Sequence, residues 1–285
     1  MENIKDVKDR IKSVKEIRKI TRAMKMVATA KYKKAYSRLS ENQAYVKSIE
    51  NLLWRIQWEV VLRYNKYFVA HTDQEKRLLI VVTADKGLCG GFNANVIRTA
   101  MKQIKDTDLF IIGKKGKAFF HKLEGAKIIG EKADIFGKLN YKICASLARH
   151  ISRCFAVGSY TKIDILYTHF ESMGKQSLKL EQMFPLTRYF ENRPDNLSTR
   201  KLVYEPSSTA VFDNLINHYI EIQLLRILLE SELSEQITRM NAMDAATKNA
   251  SELIDNLILA YNRARQAIIT KEIIEIVSGA EALNK

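Results

Sequence analysis

The chain has 285 residues, with 47 Lys and Arg against 32 Asp and Glu, a formal net charge of +15 and a pI near 9.6. Hydrophobic residues make up 46% and charged residues 28%, which excludes a disordered chain. The absence of any apolar run of about 18 residues excludes a transmembrane helix.

The start, MENIKDVKDR, is charged and has no apolar core, so neither a secretory leader nor an organelle transit peptide is expected. The three cysteines, Cys89, Cys144 and Cys154, match no zinc spacing and read as reduced thiols.

Helix breakers divide the chain. No glycine precedes Gly87, none lies between Gly174 and Gly279, and all three prolines fall within 185–206. Glycine and proline are the strongest helix breakers, so each end can form one long helix. This predicts a helix over 1–58, an α/β domain over 76–190, an exit linker over 190–208 and a second helix over 209–285. The alternative is a bundle of shorter helices whose loops lack Gly and Pro.

Residues 1–34 carry 12 basic and 4 acidic residues, net +8. Apolar residues step 3,4,3 through Ile4, Val7, Ile11 and Val14, and again through Ile17, Ile20, Met24 and Val27. The three-residue step between the two sets reads as a stammer in a coiled-coil seam. Such a basic helix can meet a polyanion or an acidic protein surface, so a nucleic-acid-binding coiled coil is the alternative function. The continuous apolar stripe argues for a helix partner instead.

In the middle, Leu78–Thr83 is a continuous apolar run and reads as a buried strand. Helical spacing over Asn93–Ile104, a strand over Asp108–Ile112, a turn over Gly113–Gly116 and a helix near Lys117–Lys122 follow. Next come a short strand at Lys127–Ile129 and a helix over Asn140–Val157 with Ile143, Leu147 and Ile151 on one face. Strands over Lys162–Thr168 and Ser177–Met183 close the region, the last reading as exposed or edge. The alternation implies a layered, largely parallel, Rossmann-like α/β domain.

Asp85-Lys-Gly-Leu-Cys-Gly-Gly91 sits where a phosphate loop would, between a strand and a helix. It fits neither G-x-G-x-x-G nor G-x-x-x-x-G-K-[ST], and Lys86 precedes the glycines. It reads as a tight strand-to-helix turn. Cys89 reads as a small packed residue, because no histidine sits in a partnering motif with it. His150 and Cys154 are one helical turn apart, but two ligands do not make a zinc site. No catalytic, cofactor or metal constellation is visible.

The last segment, 209–285, holds 7 basic and 11 acidic residues, net −4. Met240, Met243, Thr247, Ala250, Ile254, Leu257, Tyr261, Ala264 and Ile268 step 3,4 without a break, a coiled-coil seam. The acidic C-terminal helix is the simplest antiparallel partner for the basic N-terminal one. Arg263 and Arg265, two apart, point different ways, and the plain reading is a solvated pair.

Four blocks together resemble the gamma subunit of F-type ATP synthases. They are Val7–Ala28, Asp85–Gly91, Ser234–Ala250 and Tyr261–Ala280, in the family's order and spacing over essentially the whole chain. The resemblance implies a non-catalytic rotor shaft: two terminal helices in a coiled coil inside a ring of α and β subunits. A central α/β foot would sit beside the epsilon subunit and on the membrane c ring. Partners are then α, β, epsilon and the c ring, with no nucleic acid, no cofactor, and membrane association only through the c ring.

The resemblance also implies residue roles. Arg265 and Gln266 match positions that reach a loop of β, and Met24 matches one near β's acidic lever segment. Lys86 matches a basic residue of the collar, and Arg239 a shaft arginine linked to coupling. Tyr204 and Glu205, with Pro206, match the foot that meets epsilon and the c ring. The short segment Leu186–Tyr204 has no cysteine, so the thiol regulation of chloroplast members is not expected. A bacterial origin, at the cytoplasmic face of the plasma membrane, is implied.

Overall fold

A computed structural model describes residues 4–57, 60, 66–69, 76–186 and 203–283. Most of the expected linker, 190–208, lies outside the described residues. The chain divides into two compact units, Met1–Ala28 with Arg239–Lys285, and Thr29–Thr238. Two helices contribute to both: α1 (Ile4–Ile56) and α5 (Ser208–Leu283).

The larger unit is built on five strands: β1 (Arg77–Val82), β2 (Thr107–Ile112), β3 (Ile128–Lys132), β4 (Lys162–Ser172) and β5 (Lys175–Phe184). Their order is β3-β2-β1-β4-β5. The first four are parallel, and β5 returns antiparallel to β4 as the edge strand. The crossovers are α2 (Phe92–Met101), α3 (Lys114–Phe120) and α4 (Tyr141–Ala156). Asn140 caps α4 by accepting from the Ile143 amide at 2.9 Å.

Both faces of the sheet are covered, which is why β1 reads as an unbroken apolar run. Leu78, Ile80 and Val82 share a core with α4 and with segments of α1 and α5, including Leu39, Leu53, Phe212 and Leu228. Leu79 and Val81 face the other way, onto Val96, Ala100 and Phe120 of α2 and α3.

Two local expectations are corrected. The Gly113–Gly116 segment is not a turn, because α3 already begins at Lys114. The Thr83 hydroxyl accepts from the Gly116 amide at 2.8 Å, and Asp85 accepts from the Lys114 amide at 3.1 Å. These acceptors satisfy the first helical turn. Gly116 serves close approach, since a Cβ there would lie 2.7 Å from the Thr83 hydroxyl.

The second correction concerns the stammer. In the smaller unit α1 and α5 pair antiparallel, and the seam of α1 runs in unbroken 3,4 steps. It passes from Val7, Ile11 and Val14 through Arg18 and Thr21 to Lys25 and Ala28. Ile17 and Val27 are 52% and 56% exposed. The partner's register decides which side faces inward, and a seam tolerates a Thr and a Lys more readily than a slip in register.

Candidate functional site

The residues singled out by the sequence fall on the paired helices, on the turn after β1 and just ahead of α5. The paired helices hold a small apolar cluster of Val7, Val14, Ala250, Ile254 and Leu257, flanked by Ile11 and Tyr261. Further along, the Lys25 ammonium lies 2.5 Å from Asp244, which also receives Lys248 at 3.2 Å. These two lysines hold the Asp244 carboxyl below its ordinary range, the Lys25 hydrogen bond contributing most. Basic α1 and acidic α5 are thus matched by charge at the seam's edge.

Arg265 and Gln266 are exposed on α5, four and five residues beyond Tyr261. A run of exposed apolar residues follows them: Ile268, Ile269, Ile273, Ile274, Ile276 and Val277. A helix end this apolar and this exposed is suited to burial against another chain. Met24 is half-buried beside the seam, whereas Arg239 is buried. Within this unit, Arg265 and Gln266 lie several turns along α5 from Asp244, which meets Lys25 next to Met24, so these residues do not form one cluster.

In the larger unit, Lys86 is exposed at the turn after β1. The turn itself is held by its neighbours. Asp85 accepts from the amides of Lys114 at 3.1 Å, Asp134 at 2.9 Å and Phe136 at 3.2 Å. A carboxylate thus already occupies an amide-lined position that a phosphate oxygen would need. Cys89 is buried with Ala84 and Phe92, 3.2 Å from the Asn93 amide nitrogen. Among the described residues, no group of three or more His, Cys, Asp and Glu is placed to hold a metal ion. Tyr204 is half-buried against the main core, and Glu205 is exposed.

Sequence reasoning missed a buried ionic network in this unit. Arg226 donates to Glu181 and to Glu230, both at 2.8 Å. His169 lies 2.5 Å from Glu230, and the Tyr167 hydroxyl donates to Glu181 at 2.8 Å. Burial would raise the Glu181 pKa, but Arg226, then Lys179 and Tyr167, bring it down to about 2. One signal was available: Arg226 stands alone in the apolar stretch Leu224-Leu-Arg-Ile-Leu-Leu229. A charge in such a run needs a buried partner.

Glu232, two residues on, accepts from the Gly137 amide at 2.9 Å. Its pKa is raised by burial, against the pull of that amide and of Arg38, Lys31 and Lys34. Arg38 donates in turn to the Leu139 carbonyl. Helices α1 and α5 therefore both grip the loop between β3 and α4.

The family model described as ATP synthase matches residues 3–283. The chain is similar to the ATP synthase gamma chain of Chlorobaculum tepidum, 36% identical over 295 residues and covering 100% of both chains. It is 39% identical over 290 residues to that of Geotalea uraniireducens, covering 99% of each. Among solved structures it resembles a chain of the Tetrahymena thermophila mitochondrial ATP synthase central stalk and c ring. That match has a TM-score of 0.60 and 25% identity, over 80% of this chain and 99% of the other. A chain of the Euglena gracilis mitochondrial ATP synthase matches with a TM-score of 0.71 and 19% identity, over 98% and 94%.

Proposed function

The chain belongs to the family of ATP synthase gamma chains, and from that premise we propose how it acts. It is the central rotor shaft of an F-type ATP synthase. It couples rotation of the membrane c ring to ATP synthesis and hydrolysis in the α and β subunits. The observation that carries this reading is the family match along residues 3–283 of a chain whose ends pair as an antiparallel coiled coil. No described helix is long and apolar enough to cross a membrane. Membrane association is therefore assigned to the c ring, at the cytoplasmic face of a bacterial plasma membrane. The nucleic-acid-binding alternative has no support among the relatives.

The mechanism follows from asymmetry. Two unlike helices present different residues around the shaft, so each orientation meets a given β subunit with a different surface. A contact shifts a conformational equilibrium only by the difference in its energy between the two states. Turning the shaft thus changes β's nucleotide affinity, and by reciprocity nucleotide hydrolysis turns the shaft. Arg265 and Gln266, exposed on α5, are assigned to a loop of β, and Met24 to its acidic lever. Lys86 is assigned to the collar, Arg239 to coupling through the shaft, and Tyr204 with Glu205 to epsilon and the c ring. The chain contributes no catalytic residue and no nucleotide site of its own. The Asp85 carboxylate at the amide-lined turn supports that assignment, because it would repel a phosphate.

Native mass spectrometry of the complex purified through a tag on this chain tests the reading. A single copy with a ring of α and β subunits, epsilon and c subunits is the expected result. A chain that purifies without them overturns it. Calorimetric titration of the isolated chain with MgATP, expected to give no binding heat, tests the nucleotide assignment separately.

A further inference from the structure

The outer face of the sheet carries a groove that none of these roles uses. It lies between α2 and α3, has a volume of about 760 Å³, and is floored by Ile97, Met101, Phe119 and Leu123. Ala94 and Ala118 face into it from the two helices, and their small side chains leave it open. Met101 and Phe119 are 41% and 40% exposed, although both are large and apolar.

Its rim is basic, formed by Arg98, Lys115 and Lys122, with no acidic residue among the lining. The neighbouring lysines are neutralised within the chain: Lys114 by Asp134 at 2.9 Å, Lys127 by Asp108 at 3.3 Å, and Lys117 by Glu131. Arg98, Lys115 and Lys122 have no ion-pair partner among the described residues. Three unpaired cations around an apolar floor form the complement of one kind of ligand. That ligand is a helix with an apolar stripe flanked by carboxylates. The ten residues of α2 span about 15 Å, enough to seat two to three turns of such a helix.

We propose that the α2–α3 groove docks an acidic amphipathic helix of a partner protein, with Met101 and Phe119 as anchors and Arg98, Lys115 and Lys122 as clamps. The groove would then be a binding surface of the α/β unit, built from residues other than those assigned to the shaft contacts. Apolar anchors supply most of the affinity, and the cations choose an acidic partner over a neutral or basic one.

The test places the photo-crosslinker p-benzoylphenylalanine at position 101 of the full chain in its own cells. Cross-linked peptides are sequenced by mass spectrometry. The expected product joins position 101 to one segment of another protein, with apolar residues at 3,4 spacing and flanking Asp or Glu. The combined variant Arg98→Glu, Lys115→Glu and Lys122→Glu should reduce that product about tenfold. Lys substitutions at the partner's acids should restore it in that variant. All three rim residues are exposed, so an unchanged melting curve is expected. Should that variant fail to fold, about 0.5 M salt applied to the unaltered rim must weaken the product instead. A cross-link to phospholipid, to a second copy of this chain or to a segment without acids overturns the proposal. So does the absence of a product, or one indifferent to rim charge and to salt.

Discussion

The hydroxyls of Thr21 and Thr247 lie 2.8 Å apart, on the facing sides of α1 and α5. This polar pair sits inside a seam whose other described members are largely apolar, one turn from the Lys25–Asp244 ion pair. It sets the register of the two helices, because a slip of one residue would break both pairs at once. Cysteines placed at Thr21 and Thr247 should therefore form a disulfide on mild oxidation, found by peptide mapping. Cysteines at Ile20 and Thr247 should not, since Ile20 points outward. The reverse result would restore the stammered register.

Replacing Arg265 and Gln266 together by alanine should leave the shaft folded, because both side chains are exposed. An arginine fork binds a carboxylate through two parallel hydrogen bonds, and an amide beside it adds a donor and an acceptor. If these two side chains make the proposed contact with β, losing it should reduce coupled ATP turnover about tenfold in the assembled complex. Unchanged turnover and proton pumping would mean that the two side chains are only solvated.

The Glu181–Arg226 pair should set the acid limit of the larger unit. The folded-state pKa of Glu181 is near 2, below its ordinary 4.5. Its contribution is then complete above about pH 4.5 and is lost as the pH falls through about 2. The full contribution is about 3 kcal/mol. Denaturant midpoints measured from pH 6 to pH 2 should fall in that window. Glu181→Gln should cost about that much at neutral pH and flatten the acid limb. A variant as acid-sensitive as the parent would assign the limb to other groups.

Gly113→Ala should be among the most damaging single-atom changes in the sheet. Gly113 has φ +98°, and an added Cβ would lie 2.0 Å from the Thr83 carbonyl oxygen. Both the backbone and its neighbour would have to move, at a cost of about 3 kcal/mol or more. Gly125→Ala, also at positive φ but with open space around it, should cost less, from backbone strain alone. Thermal melts of the two variants give the comparison.

Much of the architecture was legible before any coordinates. Missing glycine and proline marked α1 and α5, because a helix needs no special residue along its length but is broken by these two. The 3,4 steps from Met240 to Ile268 marked the seam of α5 as far as Ala264, where they follow its buried and half-buried side, but the last step, Ile268, is exposed. Strand β1 was visible as an apolar run, β2 and β4 as strands alternating with helical segments, and β5 as an alternating edge strand.

Tertiary structure alone decided the matters that depend on a partner. On α1, hydrophobicity pointed to Ile17, Ile20 and Val27, but the inward side carries Thr21, Lys25 and Ala28. A helix has one inward direction, set by its partner over many turns, and local composition cannot overrule it. On α5, every residue of the polar run Glu230-Ser-Glu-Leu-Ser-Glu-Gln236 is buried. Two of its charges find partners from distant positions, Glu230 in His169 and Glu232 in the Gly137 amide. Spacing within a segment records which residues share a side of a helix or strand. It does not record what that side meets, because the partners that make a buried charge tolerable come from elsewhere in the chain.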